Sequence, residues 1–205
     1  MTNVNLTTIF GDRLNINGDQ ANLQVLQTRL RWAGVESEVT QITSPEQLSN
    51  SGADFILLGH GSKAAWASCL EQWPTLALDF IAATGSTLGL AVGSGASRAA
   101  ETRGDHLTPL VRPVSRFAVD IVDGREILGY KFSEVSPHES KMLGNALLTW
   151  LHGPVLAKNP ELADQFIRQI LAAKGLPMSQ SLANENTRKI DKILAGVWKL
   201  EKPLR

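Results

Sequence analysis

Two short apolar runs, each ending in a Gly-X-Gly turn, place the strongest constraint on the fold of this chain. The first run, Asp54–Leu58, stops at Gly59-His60-Gly61, and the second, Ser86–Val92, stops at Gly93-Ser94-Gly95. Short apolar runs of this kind are typical of strands buried on both faces of a parallel sheet. Since glycine tolerates backbone angles that other residues avoid, each strand is expected to end in a tight turn.

Periodic patterns elsewhere in the chain predict the other elements. Leu23, Leu26 and Leu30 recur at helical spacing before Gly34, and Asp123-Gly124 between two strand-like runs indicates a hairpin. Helices are predicted over 20–33, 74–83 and 159–174, with Asn159 as the capping residue of the third. Trp66, Leu70 and Trp73 share one face of a further predicted helix. A last predicted helix carries Ile190, Ile193, Leu194 and Val197 on one face and ends before Pro203. The further predicted strands cover 35–42, 117–122 and 127–133.

The order of these elements predicts the fold class. Strands that alternate with helices favour a parallel sheet covered on both faces, and the hairpin is expected to make part of that sheet antiparallel. The sequence has no internal repeat, low-complexity tract or linker. We therefore expect an α/β protein in which residues 1–205 form a single three-layer domain with a mixed, mostly parallel sheet.

Composition excludes several classes of partner. Lys plus Arg equals Asp plus Glu at 20 each, so no net charge attracts nucleic acid or an anionic membrane. No apolar segment has the length of a membrane span or a signal peptide, which predicts a cytoplasmic protein without membrane insertion. A lone cysteine, Cys69, allows no internal disulfide or cysteine-based zinc site, and we expect no metal and no cofactor.

Three segments carry a resemblance to a known enzyme family. They are Leu14–Leu23 (LNINGDQANL), Leu88–Ser97 (LGLAVGSGAS) and Trp150–Asp164 (WLHGPVLAKNPELAD), and Ile127–Tyr130 (ILGY) adds a fourth short match. The first is similar to Leu-Asn-Ile-Tyr-Gly-Asp-x-x-Asn, and the second to an apolar strand followed by Cys-Gly-Gly-Tyr-Gln. The third resembles Tyr-Leu-His-Gly-Pro-x-Leu-x-Lys-Asn-Pro-Glu-Leu-Ala-Asp. These motifs are those of class I glutamine amidotransferases of the cobyric acid synthase-like kind.

The resemblance implies a flavodoxin-like, three-layer amidotransferase domain. Its third segment points to the glutaminase subunit of lipid II isoglutaminyl synthase, which supplies ammonia to a Mur ligase-like partner during peptidoglycan amidation. In that family a cysteine attacks the glutamine carboxamide, a histidine transfers the proton and glycine-turn amides hold the oxyanion. Carried over, the base is His152, the oxyanion turn is Gly59-His60-Gly61 and the nucleophile position is Gly93. Arg116 lies near a family arginine suited to an amino acid carboxylate, although a plain surface arginine is an equal alternative.

The nucleophile itself is missing from this sequence. Gly93 has no side chain, so the covalent route should be lost, and with it most of a rate enhancement worth about 8 kcal/mol or more. The neighbours differ as well, because Ala96-Ser97 replaces Tyr-Gln and Lys131-Phe132-Ser133 replaces Glu-Asn-His. These combined differences indicate natural divergence. The leading hypothesis is a pseudoenzyme that acts as partner or regulatory subunit of a Mur ligase-like synthetase.

Two alternatives stay open from the sequence. Ser94 could replace the nucleophile and pair with His152, although Val92 and Ala96 stand where a serine elbow has glycines. Alternatively, the altered pocket could bind glutamine without cleaving it and act as a sensor. Cys69 is interpreted as a packed small side chain, and the scattered acids Asp12, Asp19 and Glu134 as solvated surface.

Overall fold

The computed structural model describes residues 3–176 and 185–202. Its strands are β1 (Val4–Ile9), β2 (Ser37–Ile42), β3 (Phe55–Leu58), β4 (Leu88–Val92), β5 (Thr108–Val122), β6 (Arg125–Ser136), β7 (Lys141–Leu143), β8 (Ala146–Thr149) and β9 (Leu151–His152). Its helices are α1 (Ala21–Trp32), α2 (Pro45–Asn50), α3 (Lys63–Gln72), α4 (Leu76–Ala83), α5 (Ser94–Glu101), α6 (Val155–Lys158), α7 (Pro160–Ala173) and α8 (Glu185–Glu201). None of these helices is both long and apolar enough to cross a lipid bilayer.

The main sheet has six strands in the order β2-β1-β3-β4-β8-β7. The first five strands of this order pair in parallel, and β7 pairs antiparallel with β8 at one edge. The prediction of an α/β fold with a mixed, mostly parallel sheet is therefore confirmed. The two apolar runs of the sequence are the adjacent central strands β3 and β4.

Two apolar cores lie on opposite faces of this sheet. In β3, Phe55 and Leu57 enter one core while Ile56 and Leu58 enter the other, as the two-residue period of a strand requires. The first core is completed by α1, α6 and α7, and the second by α3, α4 and α5. Helices thus cover both faces, and the three layers hold the ends of the parallel strands in place.

The predicted hairpin is present, but it does not join the main sheet. β5 and β6 pair antiparallel around Asp123-Gly124, where both residues have positive φ angles, and β9 extends them to a separate three-stranded sheet. The inner side chains Ala118, Val122 and Ile127 pack into the first core. The expectation that the hairpin supplies the antiparallel part of the main sheet was wrong, because β7 does so.

Helix boundaries follow the predictions within about two residues, but one predicted cap has another role. α7 begins at Pro160 as expected, yet the side chain of Asn159 makes no capping hydrogen bond. Its Oδ1 accepts from Leu128 N at 2.8 Å, and its Nδ2 donates to Leu128 O at 2.8 Å and to Val155 O at 2.6 Å. Asn159 therefore connects the start of α7 to β6. Pro203 lies outside the described residues.

The C-terminal helix α8 is held by a buried arginine. Arg29 of α1 donates to Asp164 of α7 at 2.7 Å and to Asp191 of α8 at 2.6 Å, and its side chain is almost fully buried. Trp198 Nε1 adds a hydrogen bond to Lys158 O at 2.6 Å. These contacts place α8 beside α1, α6 and α7.

Candidate functional site

The candidate site lies at the carboxyl edge of the parallel strands. The chain leaves β3 through Gly59-His60-Gly61 and leaves β4 through Gly93, and the loop after β1 brings Asn17 and Asp19 to the same edge. His152 of β9 completes the group. Open α/β sheets bind ligands at this edge, because loops from neighbouring parallel strands converge there.

Gly93 forms the sharp turn between β4 and α5. Its φ of 55° and ψ of −115° are unfavourable for residues with a side chain, and its N–H donates to Thr149 O at 2.8 Å. A Cβ at this position would lie 2.5 Å from His152 Cε1 and 2.6 Å from His60 Nδ1. β4 thus passes into α5 through a sharp turn, and two imidazole rings fill the space that a side chain at position 93 would occupy.

His152 has both ring nitrogens engaged. Asn17 Nδ2 lies 2.8 Å from Nδ1, and the carbonyl oxygen of Phe132 lies 3.1 Å from Nε2. Since an amide nitrogen donates and a carbonyl accepts, the ring is neutral with its proton on Nε2. Burial lowers the pKa of His152 to about 4, and the nearby His60 contributes to the same shift. Neither nitrogen is left to take a proton from a nucleophile.

Three backbone donors of the two glycine turns are used within the protein. Ser94 N donates to His60 Nδ1 at 3.0 Å, His60 N donates to Asp19 Oδ2 at 2.7 Å and Gly61 N donates to Ser94 Oγ at 2.9 Å. Burial lowers the pKa of His60, which favours the neutral ring that accepts from Ser94. An oxyanion needs such N–H groups to point at it without another acceptor. Each of these three N–H groups already donates to an acceptor within the protein.

Ser94 and Cys69 have structural roles in this protein. Ser94 Oγ donates to Gly61 O at 3.1 Å and accepts from Trp66 Nε1 at 2.7 Å, besides its bond from Gly61 N. Among residues 3–176 and 185–202, no hydrogen bond joins Ser94 to His152. Cys69 lies buried in the second core, and burial raises the pKa of its thiol. Neither side chain has the contact with a base that a nucleophile requires.

Asp19 was expected on the solvated surface, and this expectation was wrong. Its exposed fraction is 1%, and burial raises its pKa to about 6, partly offset by the hydrogen bond from His60 N. Its Oδ1 has no hydrogen-bond partner among the described residues. Asn17 and Phe132 were also missed. Asn17 stands where the motif that residues 14–23 resemble has a tyrosine, and Phe132 lies in the segment that differs from Glu-Asn-His. These departures from the motifs were the signal for both residues, and they do not predict the contacts.

Residues 131–133 have structural roles. The ammonium of Lys131 pairs with Asp120 inside the protein, and Ser133 Oγ donates to Val135 O at 2.8 Å. The ring of Phe132 packs edge-on against His60 and His152, with centroid distances of 6.4 Å and 6.1 Å. One side of the cluster around Gly93 is thus apolar.

Arg116 is not brought into this cluster. It lies exposed on β5, opposite Lys131 in the ladder, and no hydrogen bond or ion pair in the described part of the chain joins it to His60 or His152. Its role in binding a carboxylate stays a prediction. The described residues also contain no group of three His, Cys, Asp or Glu side chains placed to hold a metal ion.

Comparison with known proteins gives structural similarity only. No protein-family model matches the sequence, and no curated protein is significantly similar to it. Solved structures do resemble it. A protein from Thermoplasma acidophilum, assigned to a GMP synthase, has 14% identity and a TM-score of 0.46, over 94% of this chain and 99% of its own. A glutamine amidotransferase from Thermotoga maritima has 13% identity and a TM-score of 0.49, over 97% of this chain and 96% of its own.

Gly93→Ala is expected to lower the free energy of unfolding by about 2 kcal/mol, because the turn is strained and the new Cβ meets both imidazoles. Gly175→Ala is a matched control, since Gly175 also has a positive φ but no atom of the described residues lies within 4 Å of its added Cβ. This control should cost about 1 kcal/mol. Urea unfolding of both variants measures the difference. Equal losses in the free energy of unfolding would show that the two imidazole rings move aside from the new Cβ without an energetic cost.

Proposed function

We propose that this chain is a glutamine amidotransferase-like subunit that does not hydrolyse glutamine. The observation that carries the proposal is Gly93, whose missing side chain leaves a space that His60 and His152 fill. Its relation to the glutaminase of lipid II isoglutaminyl synthase and its role in peptidoglycan amidation rest on the motif resemblance. Its cytoplasmic location and its single domain are the expectations drawn from the apolar segments, length and element order of the sequence. In this proposal it acts as partner or regulatory subunit of a Mur ligase-like synthetase.

The loss of hydrolysis follows from what the covalent reaction needs. It needs an attacking atom, a base with a free lone pair and donors for the developing oxyanion. Gly93 supplies no attacking atom, the Nδ1 lone pair of His152 accepts from Asn17, and the N–H groups of His60, Gly61 and Ser94 have internal acceptors. The same engagement counts against the serine-hydrolase alternative and against a glutamine sensor.

A role in assembly is supported by the segment that most resembles the family. Within 150–164, Asn159 binds the backbone of Leu128, Asp164 binds Arg29 and His152 binds Asn17 and Phe132. These contacts hold the segment in one conformation, and none of them requires a catalytic role. A preserved shape without catalysis is what a subunit needs when its task is to bind another protein.

Ammonia release from glutamine tests the proposal. The wild-type protein and Gly93→Cys are both expected to stay at the rate of the blank, with and without a candidate Mur ligase-like protein. Gly93→Cys supplies a thiol, but its Cβ displaces the rings of His60 and His152 without aligning them, and the N–H groups of His60 and Gly61 keep their acceptors. Gly93→Ala controls for disturbance of the turn. Release by the wild type that is lost in His152→Ala would overturn the proposal.

Co-purification with the ligase tests the partner separately. We expect a stable complex from the wild type and from His152→Ala alike, because binding does not depend on a base. If this chain elutes alone in the presence of the ligase and does not raise the thermal stability of the ligase, the assignment of this partner is contradicted. The proposed loss of hydrolysis is not affected by that result.

A further inference from the structure

A cavity of about 590 Å³ lies between the hairpin tip, α7 and α8, away from the cluster around Gly93. Its inner wall is apolar and includes Ile127, Leu162, Phe166, Leu194 and Trp198. A cavity of this size is in the range of small-molecule sites, which are mainly apolar with a few polar groups that set orientation. Burial of a hydrocarbon body against this wall would be favourable in proportion to the apolar area covered.

The walls of the cavity are held independently of any ligand. Arg29 ties α8 to α7 through Asp191 and Asp164, and Trp198 Nε1 is bonded to Lys158 O. On the hairpin side, Arg125 donates to Gln165 of α7. A site whose walls are fixed in advance loses little conformational entropy on binding.

The polar rim of the cavity is mainly acidic. It carries the carboxylates of Asp123, Glu126, Glu161 and Asp191 and one guanidinium, that of Arg125. Glu126 is paired with Lys202, and Asp191 is paired with Arg29. Asp123 and Glu161 are exposed, and neither forms an ion pair within residues 3–176 and 185–202. A cationic group on a ligand would therefore meet two available carboxylates at the entrance.

We propose that this cavity binds an amphiphile that has an apolar chain or ring system and a cationic amine head. The apolar body lies against Phe166, Leu194 and Trp198, and the amine lies at the rim near Asp123 and Glu161. An anionic amphiphile of the same chain length is disfavoured, since its head would face like charges. This inference does not depend on the amidotransferase proposal.

Calorimetric titration of the full chain with decylammonium and with decanoate, each below its micelle-forming concentration, tests the proposal. Decylammonium should bind saturably at one site and at least tenfold more tightly than decanoate. The double variant Asp123→Asn and Glu161→Gln should reduce this preference to less than about threefold, while Glu38→Gln, an exposed carboxylate of β2, should leave it unchanged. Absence of saturable binding, or equal affinity for both amphiphiles, would overturn the proposal.

A second pair of variants tests the place of binding. Leu194→Trp occupies part of the cavity wall and should weaken binding of decylammonium at least tenfold. Ile193→Trp is the matched control, because Ile193 is the neighbouring residue of α8, is 63% exposed and does not line the cavity. Unchanged affinity in Leu194→Trp would show that the amphiphile binds elsewhere. The charge variants decide the outcome if Leu194→Trp does not fold.

Discussion

Lys131→Met is expected to lower the free energy of unfolding by about 3–5 kcal/mol, because it leaves a carboxylate inside the protein without its cation. The side chains of Lys131 and Asp120 are only 6% and 4% exposed, and they form an ion pair. The other oxygen of Asp120 accepts from Ser140 N at 2.9 Å and Ser140 Oγ at 2.6 Å, which neutralises no charge. Urea unfolding at pH 7.5 measures the loss.

Two controls separate charge from packing in this prediction. Lys189→Met removes a cation whose pair with Glu185 is largely exposed, and it should cost less than about 0.5 kcal/mol. Adding Asp120→Asn to Lys131→Met should recover at least half of the loss, since the amide needs no cation and its oxygen still accepts from Ser140. If Lys131→Met costs no more than Lys189→Met, the buried pair does not stabilise the hairpin sheet.

Asp19→Asn is expected to stabilise the protein by about 3 kcal/mol at pH 7.5. The pKa of Asp19 is about 6 in the folded protein against 3.8 for an unperturbed aspartate, a shift of about two pH units at roughly 1.4 kcal/mol each. Between these values the folded state holds a proton that the unfolded state releases, so stability falls as pH rises. Asparagine has no charge to bury, and its oxygen can still accept from His60 N.

Measuring the free energy of unfolding from pH 4 to pH 8 tests the predicted direction of this pH dependence. Wild type and Asp19→Asn should be nearly equal at pH 4, where Asp19 is protonated, and should diverge up to about pH 7. His152 has the opposite effect, because its pKa is lowered to about 4 and the folded state therefore gains stability as pH rises from there. The two effects oppose each other in the wild type. A constant difference at all pH values would contradict the buried carboxylate.

The architecture was largely predictable because apolar periodicity reports burial directly. β3 and β4 were predicted from uninterrupted apolar runs, and α1 from leucines at helical spacing. β1 was not predicted, since Thr7 and Thr8 interrupt its apolar pattern although both are buried. The separation of the hairpin from the main sheet also could not be predicted, because strand pairing depends on tertiary packing that local pattern does not encode.

The candidate site was predictable in position but not in contacts. The glycine turns and His152 were placed by motif, and the structure brings His60, Gly93 and His152 together. The burial of Asp19 and the engagement of each N–H depend on side-chain directions in loops. A sequence reports those directions only through motifs, and Asn17 and Phe132 stand where this chain departs from the family pattern. Activity and partner stay predictions that the experiments above address.

The engagement of the turn amides has an evolutionary consequence. A descendant could carry a cysteine at position 93 after one codon change, but the N–H groups of His60 and Gly61 would still have acceptors within the protein. Such a descendant would have to clear His60 from the space and release Asn17 from the base before any new thiol gave an advantage. These individually favourable hydrogen bonds thus stabilise the arrangement in which the turn amides and His152 are already engaged.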